Sequence, residues 1–204
     1  MPGDIYLNDI RSALLKPDKH WGRTDILTTK DLVPKKPGIY AWYFKQIPPG
    51  VPIDDCITLN CLTLLYVGIS PKAPPLNGSA PSSQNLHKRV RYHMRGNAEG
   101  STLRLTLGCL LKDDLGIQLR RVGSGTRKTF TIEGEKVLSD WLTENAFVAW
   151  VECDEPWKHE EQIIPELSLP LNIQHNNNHP FYQNLKAIRS EAKRVADSLP
   201  ILPR

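Results

Sequence analysis

The chain has 204 residues, about the length of one globular domain with additional segments. Its 26 Lys and Arg residues against 22 Asp and Glu leave a formal net charge of +4, which excludes a histone-like polycation, so nucleic-acid binding would require local clusters of positive charge. No stretch approaches the roughly 18 apolar residues of a membrane-spanning helix, and no secretory signal is evident at the amino terminus, so we expect a cytoplasmic protein without a membrane partner.

Two strands are predicted after a weakly helical beginning. The helical pattern covers 9–15 and stops at Pro17, and we treat residues 1–36 as an amino-terminal extension. The segments GIYAWYF at 38–44 and CLTLLYVGIS at 61–70 are rich in β-branched and aromatic residues and are bounded by turn-forming residues. We expect these strands to pair antiparallel across a long, proline-rich loop.

A helix is predicted over about 85–95, with Ser82, Ser83 and Asn85 as candidate capping residues before it. Arg89 and His93 lie four residues apart at the border of its apolar face. Three further basic side chains should point outward: Lys88, Arg91 and Arg95.

The next segment contains two more helices and a third strand. One helix begins near Ser101 and another covers about 133–145. Between them, the basic segment 120–130 predicts a loop or a hairpin. The sequence AFVAWVEC at 146–153 is the third predicted strand.

That strand leads directly into a helix with Pro156 in its first turn. On a helical wheel, Glu160 lies near the centre of the apolar face and Glu161 at its edge, so we expect Glu160 to point inward. Pro165 lacks an amide hydrogen and predicts that this helix is short or kinked. An amphipathic helix at 182–199 follows, which should pack on the core or bind a partner.

Five features now stand in order along the chain: GIY at 38–40, YVG at 66–68, an Arg-x-x-x-His on the first helix after it, a glutamate on a helix after the third strand, and PLN at 170–172. Together they resemble the GIY-YIG nuclease superfamily. The resemblance implies an α+β fold whose core is a small three-stranded antiparallel sheet flanked by helices. It places that domain at 37–181, with a separate carboxyl-terminal helix at 182–204.

The same resemblance implies the site residues. The positions that match the family's catalytic residues are Tyr40, Tyr66, Arg89, His93, Glu160 and Asn172. Gly68 and Lys88 are expected at the substrate-binding surface. In the family, two aliphatic residues follow the glutamate and an asparagine follows later. Glu160 fits this spacing, with Ile163, Ile164 and Asn172, better than Glu161 does, although the choice between the two stays open.

These residue types suit phosphodiester hydrolysis, which needs an activated water, positive charge beside the phosphate oxygens and neutralisation of the leaving group. Glu160 would hold Mg²⁺ or Mn²⁺, since such ions are commonly bound by one carboxylate, waters and substrate phosphate. Arg89 offers a planar donor to phosphate. The resemblance makes Tyr40 the general base, with Tyr66 beside it. The implied function is a metal-dependent endonuclease that acts on nucleic acid, with double-stranded DNA the expected substrate.

Other interpretations remain open. Tyr40 and Tyr66 could be half-buried strand aromatics, and Asn172 could cap a turn. The protein could be a nucleic-acid-binding module without turnover, or a subunit of a larger nuclease assembly. The carboxyl-terminal helix would then serve a homodimer or a protein partner. Proline-rich insertions near 45–60 and 71–83 lengthen the chain relative to compact members of the family and are candidate substrate-contacting loops.

Overall fold

The structure is a computed structural model that describes residues 2–76 and 82–203. Residues 77–81, within the predicted insertion at 71–83, lie outside the described residues. The elements are, in chain order, α1 (Pro2–Leu15), β1 (Trp21–Gly22), α2 (Arg23–Thr28), β2 (Gly38–Phe44), β3 (Thr58–Leu59), β4 (Leu62–Ser70), α3 (Leu86–Arg95), α4 (Thr102–Leu110), β5 (Arg120–Val122), β6 (Arg127–Thr129), α5 (Thr131–Asn145), β7 (Ala146–Glu152), α6 (Pro156–Ile163) and α7 (Tyr182–Ser198). No helix within the described ranges is long and apolar enough to cross a membrane.

The main sheet has five strands in the order β1-β7-β2-β4-β3, and every pair is antiparallel. The expectation of a three-stranded sheet was therefore wrong. The three predicted strands form its centre, and a two-residue strand extends each edge. Two residues are too few to show a hydrophobic period, so the sequence pattern could not reveal β1 or β3. The α+β class and the antiparallel pairing of β2 with β4 are confirmed.

The sheet is covered on both faces, and β2 is buried along its whole length. Side chains of a strand alternate between faces. Tyr40, Trp42 and Phe44 thus join the larger core, formed with α3, α4, α5 and α7. Ile39, Ala41 and Tyr43 join a smaller core, formed with α1 and α6. A central strand buried on both sides is fixed in register, because a slip of one residue would exchange the two sets.

The segments at both ends of the chain pack against this sheet. β1 pairs with β7, and Ile10 and Leu14 of α1 are buried in the smaller core. Leu185 and Ala196 of α7 are fully buried in the larger core. The division of the chain at residues 36 and 181, and a partner-binding role for α7, stay predictions.

Capping residues and prolines in the sequence correctly predicted where the helices around the site begin or end. Asn85 caps α3 by accepting a hydrogen bond from the Lys88 amide at 2.9 Å. α6 ends at Ile163, and the chain continues as a single 3-10 turn that contains Pro165. This confirms the prediction of a short or kinked helix. The basic segment at 120–130 forms the hairpin of β5 and β6. One expectation was wrong: Arg91 does not point outward, since its guanidinium binds the carbonyl groups of Ile26 and Leu27 on α2.

A buried ion pair joins α4 to α5 behind the sheet. Arg104 is fully buried, and its guanidinium donates to the Glu135 carboxylate at 2.7 and 2.9 Å. It also donates to the Glu135 carbonyl at 2.8 Å and to Ser139 Oγ at 3.1 Å. A buried charge is tolerated only when it is paired and its donors are satisfied, so this arginine depends on its partners.

Replacing this arginine should destabilise the fold strongly. Arg104→Met leaves the Glu135 carboxylate without its cation and should lower the free energy of unfolding by about 3–5 kcal/mol, as loss of one partner of a buried pair does. Urea denaturation monitored by circular dichroism measures the change.

Arg194 provides the matched control, because it binds Glu191 at 2.6 and 2.7 Å with both side chains largely exposed. Arg194→Met should leave the urea midpoint unchanged, since exposed pairs contribute little. Equal effects of the two substitutions would contradict a role for burial.

Candidate active site

A cleft of about 1030 Å³ lies where the ends of β2 and β4 meet α3 and α6. Seven of the eight site residues proposed from the sequence line it: Tyr40, Tyr66, Gly68, Lys88, Arg89, Glu160 and Asn172. The eighth, His93, is 1% exposed and lies behind Tyr40. Residues that are up to 132 positions apart in sequence therefore meet on one surface.

Close strand pairing fixes the position of Tyr40. Tyr40 lies directly opposite Gly68 in the pair formed by β2 and β4. A Cβ atom at position 68 would lie 2.7 Å from the Tyr40 hydroxyl oxygen, closer than such atoms approach. Glycine at this position thus gives the phenol ring the space it occupies across the neighbouring strand.

His93 forms a hydrogen bond with the Tyr40 hydroxyl from the core side. Its Nε2 lies 3.1 Å from Tyr40 Oη, and the two rings are tilted with their centroids 5.5 Å apart. Burial lowers the pKa of His93 well below its ordinary value, and the nearby Arg89 and Arg104 lower it further. The imidazole is therefore neutral at physiological pH. Tyr40 is thus a buried, hydrogen-bonded group of the cleft wall, and the half-buried Tyr66 also lines the cleft.

Arg89 links both tyrosines electrostatically. Burial raises the pKa of Tyr40, and the Arg89 guanidinium opposes that rise. Burial also raises the pKa of Tyr66, with the neighbouring Tyr40 adding to the effect. For Arg89 itself, burial lowers the pKa, but Tyr40, Tyr66 and Tyr92 together more than offset this. The arginine also donates to the Gly100 carbonyl at 2.9 Å, which holds its side chain at the cleft.

Glu160 projects from α6 into the cleft with 9% of its surface exposed, whereas Glu161 is exposed to solvent. Burial raises the pKa of Glu160, and His175 and Lys72 partly oppose the rise. The nearest ion-pairing group in the described part of the chain is His175, whose Nε2 lies 3.9 Å from Glu160 Oε2. A buried carboxylate without a close cation is costly, so this environment fits a bound divalent ion.

The described residues contain no cluster of three or more His, Cys, Asp or Glu side chains that could enclose a metal. A hard ion such as Mg²⁺ is commonly held by one or two carboxylates with waters and substrate oxygens. The Glu160 carboxylate, together with waters and substrate oxygens, is therefore sufficient for that mode of binding.

Asn172 has a structural part in the site. Its Oδ1 accepts from the Val67 amide at 2.9 Å, and its Nδ2 donates to the Val67 carbonyl at 2.8 Å. The side chain thus pairs with the backbone of β4 one residue before Gly68. A catalytic role for Asn172 stays a prediction, since its amide is engaged with that strand.

Positive charge dominates the cleft. Among the residues that the structure describes, its lining contains five Lys or Arg side chains, Lys72, Lys88, Arg89, Arg91 and Arg95, and a single carboxylate, Glu160. Lys88 is exposed and donates to the Ser83 carbonyl at 2.8 Å, so it lies at the rim of the cleft. Such a surface attracts a polyanion by its local charge, whatever the net charge of the chain.

Sequence reasoning missed three residues of this site. Lys72 lines the cleft from the second insertion, and His175 lies near the Glu160 carboxylate from a loop rich in asparagine, in which a histidine is ordinarily a surface turn residue. Ser101 was used only as the start of a helix, yet its Oγ lies 2.7 Å from His93 Nδ1. His175 lies in a tight turn, where its φ is 57°. Nothing in the sequence indicates that this turn lies beside Glu160.

Comparison with known families gives one match. The family model described as the GIY-YIG catalytic domain matches residues 38–191, well over half of the chain. The match contains every site residue named above. No curated protein and no solved structure matched the chain.

The raised pKa of Glu160 predicts that its charge destabilises the protein when no metal is bound. Because the pKa in the folded state exceeds the ordinary value of 4.5, ionisation of Glu160 costs stability as the pH rises from that value through the raised pKa. In EDTA, Glu160→Gln should therefore raise the melting temperature at pH 7, with the difference disappearing below about pH 4. Calorimetry across this pH range measures both values.

Glu161→Gln is the matched control, since this neighbouring carboxylate is exposed. It should not change the melting temperature at either pH. A lower melting temperature for Glu160→Gln at pH 7 would show that the carboxylate is stabilised by its surroundings and would contradict the interpretation.

Proposed function

This chain belongs to the GIY-YIG catalytic domain family, a family of nucleases, and on that premise we propose that it is a divalent-metal-dependent endonuclease. The proposed substrate is double-stranded DNA, as for most members of the family. The observation that carries the proposal is the convergence of Tyr40, Arg89 and Glu160 on one cationic cleft. Each of these side chains has a defined part in phosphodiester hydrolysis.

The cleft supports binding of a phosphate backbone. Arg89 is permanently charged and presents a planar set of donors that suits phosphate oxygens. Its contact with the Gly100 carbonyl uses one N–H donor of the several that a guanidinium carries. Lys72 and Lys88 add positive charge at the rim, where they would contact neighbouring phosphates.

The carboxylate and the phenol support the chemical step. Glu160 would hold Mg²⁺ or Mn²⁺, and the ion would supply charge neutralisation for the leaving oxygen. Tyr40 would take the proton of the attacking water as its phenolate. Arg89 favours that phenolate because it lowers the pKa that burial raises. His93 holds the phenol in place from the core side, and hydrogen bonding from Tyr66 lowers the pKa of Tyr40 further.

Cleavage of supercoiled plasmid tests the function and the residue assignments together. In Mg²⁺ or Mn²⁺ the protein should nick DNA, and EDTA should abolish the activity. Arg89→Ala and Glu160→Ala should each lower the rate by about a hundredfold or more, the loss that follows removal of one charge-stabilising group. Tyr40→Phe should have a comparable effect.

Glu161→Ala is the matched control and should cut at the rate of the unchanged protein. Intact cleavage by Arg89→Ala or Glu160→Ala would refute the assignments. Binding of DNA in EDTA with no cleavage under any metal would favour a nucleic-acid-binding module without turnover. A preference for RNA substrates would overturn the choice of DNA alone.

A further inference from the structure

A chain of three buried polar groups runs from the cleft into the core. Tyr40 Oη lies 3.1 Å from His93 Nε2, and His93 Nδ1 lies 2.7 Å from Ser101 Oγ. The three residues are 1%, 1% and 0% exposed. Ser101 is also the capping residue of α4, where its Oγ accepts from the Arg104 amide at 3.1 Å.

The number of hydrogens limits how this chain can be arranged. The imidazole is neutral, because its pKa is lowered well below the ordinary value by burial and by two neighbouring arginines. A neutral imidazole has one N–H, so one ring nitrogen donates and the other accepts. Two arrangements remain, and they differ in whether the hydrogen is on Nδ1 or on Nε2.

With the hydrogen on Nδ1, the Ser101 oxygen would accept two hydrogen bonds, one from His93 and one from the Arg104 amide. Its own hydroxyl hydrogen would then need another acceptor. No such acceptor bonds to Ser101 within the described ranges, and the side chain is fully buried. A buried donor without a partner is unfavourable, which disfavours this arrangement.

With the hydrogen on Nε2, the donors of His93 and Ser101 inside the core both have partners, and the one remaining hydroxyl hydrogen is that of Tyr40, at the cleft. Ser101 donates to Nδ1 and accepts from the Arg104 amide, and Nε2–H donates to Tyr40 Oη. The Tyr40 hydroxyl hydrogen is free to point toward the cleft that Tyr40 lines. We propose that Ser101 is a positioning residue that fixes His93 in the Nε2–H tautomer, so that His93 donates a hydrogen bond to Tyr40.

This tautomer decides the route of the proton in the proposed endonuclease reaction, on which this part of the inference rests. His93 cannot take the Tyr40 proton, because Nε2 already holds a hydrogen. The Tyr40 O–H bond breaks toward water in the cleft, and the oxygen keeps the electron pair. The phenolate oxygen keeps its hydrogen bond from Nε2–H while it accepts the proton of the attacking water.

Nitrogen NMR of the ring nitrogens tests the tautomer directly. Protein labelled with ¹⁵N in its histidine rings is recorded without substrate, and the signals that disappear in His93→Gln identify His93. We expect a protonated Nε2 and an unprotonated Nδ1. A protonated Nδ1, or protons on both nitrogens, would overturn the proposal whether or not the protein cleaves DNA.

Two substitutions at Ser101 test its part. Ser101→Gly removes the hydroxyl and costs the helix cap little, since glycine is a tolerated capping residue. It should move His93 toward the Nδ1–H form and lower the cleavage rate at least tenfold. Ser101→Thr retains the hydroxyl and should restore both the spectrum and most of the rate. An unchanged spectrum in Ser101→Gly would overturn the proposal.

Asn85→Gly is the matched control for loss of a cap, because the Asn85 side chain caps α3 by accepting from the Lys88 amide rather than by bonding to the imidazole. Its His93 spectrum should match that of the unchanged protein. If no variant and no unchanged protein cleaves nucleic acid, the proposed function fails, and the spectra still decide the tautomer.

Discussion

The close approach of the Tyr40 ring to Gly68 is the constraint on which the site depends. These residues face each other across β2 and β4, and no side chain larger than a hydrogen fits at position 68. The approach sets where the phenol oxygen lies, and the positions of His93 and Arg89 follow from α3 packing over that strand pair. A strand buried on both faces cannot shift its register, so the phenol is held by the whole core.

Charge in the cleft is arranged for a ligand rather than for stability. Five cationic side chains line it with one carboxylate, and that carboxylate is buried without a lysine or arginine bound to it in the described part of the chain. Arg104 and Glu135, in the core behind the site, show the opposite arrangement, in which the two charges are paired with each other. Functional sites commonly retain such unfavourable groups, and the surrounding core compensates for them.

Much of this architecture could be predicted from local patterns. The strands at 38–44 and 146–152, the cap at Asn85 and the end of α6 before Pro165 depend on residues close in sequence, and the structure has them where the patterns indicate. The helical wheel also chose Glu160 over Glu161, because burial follows position on a helix face. The short edge strands, the Arg91 anchor on α2 and the pairing of Ser101 with His93 could not be predicted. Each depends on contacts between elements, and a single sequence contains no signal for them.

The pairing of Asn172 with Val67 has a consequence beyond the site. Beyond β3, the outer edge of β4 would present free amide and carbonyl groups, and such edges can recruit strands from other molecules. Leu171 donates its amide to the Leu65 carbonyl at 3.1 Å, and the Asn172 side chain occupies both backbone groups of Val67. A loop without regular structure thus covers this part of the sheet edge. The residue that binds the backbone of β4 therefore also covers an edge at which strands of other molecules would otherwise pair.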